Sequence, residues 1–234
     1  PPVKVFGMAR VGLPAAMIGV LFSVVYIAFV RSASAHGPAA AAMVGIGNRI
    51  EAIQFVFSAS IGLAAATLLG QAIGAGRPDR AAEVLRTAQR WSVAFALVFT
   101  VAMFAAPTFF LGMFTTDAGV LALGVPYLRV LALTVVATGL EIATAEAIMG
   151  SGHTGAISWI FTIVSLLRIP LAFAVPAWTQ SGAMGIVWVI TVSCWVRTAA
   201  ILLWSRRGTW KQGLRGELHG SGELGSPDAP GEAL

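Results

Sequence analysis

Apolar residues fill this chain in six long blocks, at residues 11–30, 39–73, 91–114, 120–149, 156–175 and 183–204. Short irregular connectors separate the later blocks and first two, at residues 32–38, 115–119, 150–155 and 176–182. A helix needs about 20 mainly apolar residues to cross a bilayer. The blocks therefore predict an all-α, polytopic membrane protein with six transmembrane helices. Residues 1–10 form a polar-flanked lead-in. The second and fourth blocks exceed a simple span, so their helices must tilt or protrude. Beyond residue 205 the chain turns polar and rich in Gly, Pro and Glu, the composition of a largely disordered tail.

Polar positions inside the blocks carry more information than the apolar ones. In the second block Asn48, Glu51, Gln54 and Ser58 recur at steps of three and four, along one side of a helix. Polar and ionisable groups at membrane depth are costly, and they face a protein interior or a water-filled path. Further along, Gly62, Ala66, Gly70 and Gly74 repeat every four residues. Small residues at that spacing let a second helix approach closely. The helix is expected to end at the basic, Pro-containing stop Arg77-Pro78-Asp79-Arg80. Residues 77–90 have helical spacing and fit either a surface helix or an extension of their neighbours.

Composition narrows the class. Of 234 residues, 57% are hydrophobic and 11% charged, against about 25% charged in a soluble domain. The net charge of +5 is spread among apolar runs, which argues against a nucleic-acid partner. Its location is more telling. One set of alternate loops holds Lys4 and Arg10, then Arg77, Arg80, Arg86 and Arg90, then the His153 turn, then Arg206, Arg207, Lys211 and Arg215. The other set holds Arg31, His36 and Asp117. The positive-inside rule puts the first set in the cytoplasm, so both ends of this chain are expected there, in a plasma (inner) membrane. The single Cys194 lies in an apolar run and reads as a small packing residue. It excludes an internal disulfide. No metal cluster can be assembled around the lone His153, and no cofactor is expected. The chain opens Pro1-Pro2 and soon enters an apolar run, which leads to the expectation of a fragment lacking an N-terminal part.

Candidate chemistry lies in the spans. Pro14, in Gly12-Leu13-Pro14, removes one backbone hydrogen bond near the start of the first span and is the candidate bending point. Span four carries Glu141 and Glu146, set apart by roughly 140° on an ideal helix. Thr134, Thr138 and Glu141 share one side, so Glu141 is the candidate for a proton or cation, or for a structural partner of Arg49, Arg129 or Arg168. Burial penalises the charged form of a carboxylate, which suits reversible protonation. Arg168 and Glu146 are assigned to a structural ion pair, and Arg197 is expected to meet a carboxylate or backbone carbonyls. Arg129 is placed to snorkel to the outer interface. The glycine-rich run at residues 150–155 lacks the lysine of a phosphate loop and follows a membrane helix, which excludes nucleotide binding. An intramembrane enzyme would need a nucleophile with a base at depth. The histidines lie in loops or tail, so the chain is read as not an enzyme.

Several phrases in order then resemble one family. They are Gly12-Leu13-Pro14, Gly45-Ile46-Gly47-Asn48-Arg49-Ile50-Glu51 and Gly70-Gln71-Ala72-Ile73-Gly74-Ala75-Gly76 followed by Ala81-Ala82. Ile148-Met149-Gly150-Ser151-Gly152-His153-Thr154 and Leu167-Arg168-Ile169-Pro170 complete the set. Together they resemble the multidrug and toxic-compound extrusion family, from residue 11 to 204. That resemblance implies twelve helices in two six-helix halves around a central cavity. It also implies export of cationic or amphiphilic drug-like compounds in exchange for protons or sodium ions. The six spans here are similar to the second half, so the missing N-terminal half would be a partner, as would the lipid bilayer. The sodium-using branch has an acid in its seventh helix, where this chain has Val20-Leu21-Phe22-Ser23. Its tenth-helix aspartate falls at or near Thr138, with Glu141 a turn later. The branch similar to DNA-damage-inducible transporters fits better. On this reading Glu51 and Glu141 take the coupling ion or substrate, Asn48, Gln54 and Thr138 line the path, and Arg168 holds a carboxylate in place. The alternative cargo is a lipid-linked saccharide, moved by a flippase of the same superfamily.

Overall fold

A computed structural model of the chain describes residues 19–150, 152, 154–179, 182–208 and 210. The expected bend at Pro14, the lead-in, His153 and the tail beyond residue 210 lie outside the described residues. Among the described residues seven helices follow one another: α1 (Gly19–Ser34), α2 (Pro38–Gly74), α3 (Pro78–Ala105), α4 (Pro107–Gly112), α5 (Ala118–Met149), α6 (Thr154–Thr179) and α7 (Ala183–Arg206). Five of them, α2, α3, α5, α6 and α7, are long and apolar enough to cross a membrane. The described part of α1 is a shorter apolar helix.

Local sequence sets the boundaries. Pro38, Pro78 and Pro107 stand at the first turns of α2, α3 and α4, where a missing N–H costs nothing. Asp117 caps α5, its carboxylate accepting from the Val120 N–H at 2.8 Å. Gly76 takes a φ of 71° just past α2 and turns the chain into α3. Residues 78–90 continue without a break into the third span, so they extend it rather than form a separate surface helix. That span then stops at Ala105, and the short α4 begins at Pro107. Two prolines, Pro170 and Pro176, lie inside α6.

Two apolar clusters form the core. One collects Val25 and Phe29 of α1, Met43 and Ile50 of α2, Met103 of α3, Leu128 and Val135 of α5, and Ile186 and Ile190 of α7. The other collects Leu69 of α2, Leu85 of α3, Ile148 of α5, Ile157 of α6, Ile201 of α7 and Trp210. Successive long helices meet the clusters in alternating order, which is an up-and-down bundle. On each of them buried polar residues fall between the two clusters: Gln54 and Ser58, Ser92, Glu141 and Thr144, Ser165 and Arg168, Arg197 and Thr198. The lobe thus has an apolar core at each end and a polar belt across its middle. Helices α5 and α7 form its interior: 50% and 56% of their most apolar windows are buried, against 22% for α3 and α6. α5 is apolar nearly all round, as a helix surrounded by others must be.

Close packing of α2 on α5 follows from the small-residue seam. A Cβ on Gly62 would lie 2.6 Å from the Glu146 Cβ and 3.2 Å from the Ala143 Cα, and one on Gly150 would lie 2.5 Å from the Ala66 Cβ. Gly62, Ala66 and Gly70 therefore meet the α5 stretch from Ala143 to Gly150, which is the close approach that their spacing predicts.

Candidate functional site

The polar belt has two parts. The first joins α2, α3 and α5 with neutral groups. Gln54, 1% exposed, donates from Nε2 to Ser58 Oγ at 2.7 Å and accepts at Oε1 from Thr138 Oγ1 at 3.2 Å. Ser92 donates to the Gly139 carbonyl at 2.7 Å and lies 3.2 Å from Ser58 Oγ. Gly139 makes the crossing possible, since a Cβ there would lie 2.9 Å from Gln54 Nε2 and 3.1 Å from the Ala96 Cβ. One turn on, Gln89 Nε2 donates to Thr144 Oγ1 at 3.1 Å. Buried polar groups without partners are expensive, and these hydroxyls and amides satisfy one another across the helices.

The second part joins α5, α6, α7 and α2 with charged groups. Glu141 of α5 is 2% exposed and Arg197 of α7 is 6% exposed. Arg197 Nε lies 2.5 Å from Glu141 Oε1. This is an ion pair of poor hydrogen-bond alignment: Glu141 Oε2, Arg197 Nε and Arg197 Nη1 make no aligned hydrogen bond among the described residues. The guanidinium also stacks 4.2 Å above the Phe161 ring of α6, a contact strengthened by desolvation. Arg168 of α6 reaches α7, donating from Nε to Ser193 Oγ at 2.7 Å and from Nη2 to Cys194 Sγ at 2.8 Å. Glu51 of α2 is half-buried and lies within electrostatic reach of both Arg168 and Arg197. Tyr127 in turn lies within reach of Glu51 and Tyr26. Glu141 and Arg197 thus form a pair, and Glu51 lies nearer the first apolar cluster, between the Gly47 contact with Tyr127 and Leu131 and the Gln54 contact with Thr138.

The sequence-based candidates separate on this map. Gln54 and Thr138 come together, in a helix contact rather than beside Glu141. Asn48 is half-buried on α2, one turn from Glu51. Glu141 meets Arg197, and Glu51 lies within electrostatic reach of Arg168 and Arg197. Arg168 and Glu146 do not: Arg168 bonds to neutral groups of α7, whereas Glu146, half-buried, packs over Gly62 at the α2 seam. Glu141 pairs with Arg197 rather than with Arg49, Arg129 or Arg168. Arg49 is exposed, and Arg129 lies 5.7 Å over the Phe104 ring. Cys194 is buried and free, and it packs while also accepting from Arg168. Ser193 and Phe161 were not singled out from the sequence. The available signal was the α7 pattern Thr191, Cys194 and Thr198 with Ser193 and Arg197, a polar stripe in an apolar helix.

Comparison with known proteins gives a consistent result. The family model described as MatE matches residues 14–174. The chain is 25% identical over 206 residues to the probable multidrug resistance protein NorM of Thermotoga maritima, an alignment that covers 87% of this chain and 44% of that protein. It superposes on the outward-facing conformation of a multidrug resistance MATE family transporter of the MOP superfamily with a TM-score of 0.78 at 20% identity, covering 89% of this chain and 47% of that one. On the eukaryotic MATE transporter AtDTX14 the TM-score is 0.79 at 21% identity, over 90% and 48% of the two chains. The chain therefore spans about half the length of the proteins it matches. The all-α six-helix lobe expected from the sequence is the fold of half of such a transporter.

Proposed function

This chain belongs to the MatE family, and from that premise we propose that it is one lobe of a secondary antiporter that exports cationic or amphiphilic drug-like compounds. The observation that carries the reading is the charged half of the polar belt. Glu141, Arg168 and Arg197 lie between two apolar clusters, with Glu51 at the edge of the first, in a lobe whose long helices are apolar enough to span a bilayer. Ionisable groups at that depth mark ion and substrate pathways.

On this reading a second six-helix lobe completes the transporter, and substrate binds between the lobes. Glu51, half-buried, is the acid closest to hand for a proton or a cationic ligand. Glu141 is held by Arg197 and is open to a cation only when that pair loosens. Asn48 lines the approach to Glu51, and Gln54 and Thr138 stiffen the helix that carries it. Arg168, within electrostatic reach of Glu51 and tied to α7, holds that carboxylate in place. Coupling is by proton or sodium ion. Alternating access follows if substrate and ion bind the inward and outward states with different affinities, since equal affinities would shift nothing. The arginines at residues 77–90 and at Arg206 and Arg207 lie at the end of the bundle that the positive-inside rule puts in the cytoplasm of a plasma membrane.

A lipid-linked saccharide, the rival cargo, is anionic and would want an excess of cationic groups. Here the two buried arginines are matched by Glu51 and Glu141, which leans toward the drug antiporter. The test is accumulation of ethidium in cells making the whole protein. Expression should lower the accumulated dye, and collapsing the proton and sodium gradients together should restore it. Accumulation unchanged by expression would count against the reading.

A further inference from the structure

The exposed side of α3 carries a shallow, wide-open face that the transport site does not use. It is lined by Arg86, Gln89, Arg90, Val93, Ala94 and Leu97. Its order along the helix is informative: two arginines one turn apart at one end, then only apolar side chains. Gln89 between them is tied back to Thr144 of α5, so it holds the floor of this face. Both arginines are exposed. Among the described residues the ion pair is Glu141–Arg197, so neither Arg86 nor Arg90 is neutralised by Asp79 or Glu83. From Arg86 to Leu97 the helix rises about 16 Å, roughly half the hydrocarbon thickness of a bilayer. Trp91, 68% exposed, lies beside Arg90, and tryptophan favours the level where headgroups meet acyl chains.

We propose that this open face of α3 is a binding site for one anionic phospholipid, its phosphate held by Arg86 and Arg90 and an acyl chain laid along Val93, Ala94 and Leu97. Charge complementarity selects the occupant. Two unpaired guanidiniums present planar forks of N–H donors that match phosphate oxygens, and basic residues at a membrane surface attract anionic headgroups. The apolar remainder matches a lipid and has no use for free phosphate. Helix α3 touches the central α5 along the floor of this face, so a lipid seated there would brace the end of the bundle beside the second apolar cluster.

The test uses the whole protein in vesicles of phosphatidylcholine containing a small fraction of spin-labelled lipid. The immobilised fraction is read by electron spin resonance for phosphatidylglycerol and for phosphatidylcholine. Phosphatidylglycerol should be held more strongly, on the order of tenfold. Arg86→Gln/Arg90→Gln should bring the two lipids level, while Arg77→Gln/Arg80→Gln, outside this face, should leave the preference intact. Arg86→Lys/Arg90→Lys, which keeps the charge, guards against a folding artefact and should retain part of the preference. Equal binding of the two lipids by the unmodified protein overturns the proposal. So does a preference that survives Arg86→Gln/Arg90→Gln, or one abolished by millimolar inorganic phosphate alone.

Discussion

Glu141 and Arg197 show what a charged pair does at membrane depth. Each has lost most of its hydration, and their mutual attraction offsets that loss only while both are present. Removing one partner leaves the other buried and unpaired. Glu141→Ala is therefore expected to destabilise the protein by about 3–5 kcal/mol, whereas Glu141→Met/Arg197→Met should recover most of that loss. Unfolding of the purified protein in detergent measures both. Similar costs for the single and double variants would mean that the pair does not act as a unit. That Glu141 deserved attention was legible in the sequence, because an acid in an apolar helix must be satisfied. That its partner is Arg197 was not. Arg49, Arg129, Arg168 and Arg197 are all within reach on paper. The choice depends on the rotation and height of α7 against α5, which periodicity along one helix does not fix. For the same reason Arg168, expected beside Glu146, meets the neutral Ser193 and Cys194.

At the scale of a helix, α6 gives the clearest physical case. Pro176 has no N–H, so the Ala172 carbonyl one turn back loses its helical partner. Ser32 of α1 supplies the replacement, donating from Oγ to Ala172 O at 2.6 Å. α6 thus continues through a proline, to Thr179, because another helix satisfies the freed carbonyl. Ser32→Ala is expected to cost about 1 kcal/mol in the natural background. In a Pro176→Ala background, where residue 176 can bond Ala172 itself, the cost should fall close to zero. A double-mutant cycle of melting transitions reads the coupling, and equal costs in both backgrounds would refute it. Helix existence was legible from the apolar blocks, and the α2–α5 approach from Gly62, Ala66 and Gly70. The split between α3 and α4 was hidden, since hydropathy is continuous across Pro107. The extension of α3 back to Pro78 was partly legible: the helical spacing of residues 77–90 was evident, and the choice between a surface helix and a continued span was not.

Across the whole lobe, two apolar clusters hold the ends and a polar belt crosses the middle. The belt divides the work. Its neutral half, from Gln54 to Ser92, locks α2, α3 and α5 together with bonds between groups that do not titrate. Its charged half links α5, α6 and α7 through the Glu141–Arg197 pair, the Arg197 stack on Phe161 and the Arg168 bonds to Ser193 and Cys194. On the proposed function, the first would let the lobe turn as a body and the second would meet its cargo. The account's central claim is that this charged half drives export, and Glu141 tests it most directly. The measurement is ethidium efflux from vesicles holding the whole transporter, with a proton gradient and a sodium gradient imposed in turn, for the unmodified protein and for Glu141→Gln. The account expects efflux under at least one gradient and a fall to the level of empty vesicles in Glu141→Gln, with the variant still folded and inserted. Undiminished efflux in that variant, or none from the unmodified protein under either gradient, would contradict it.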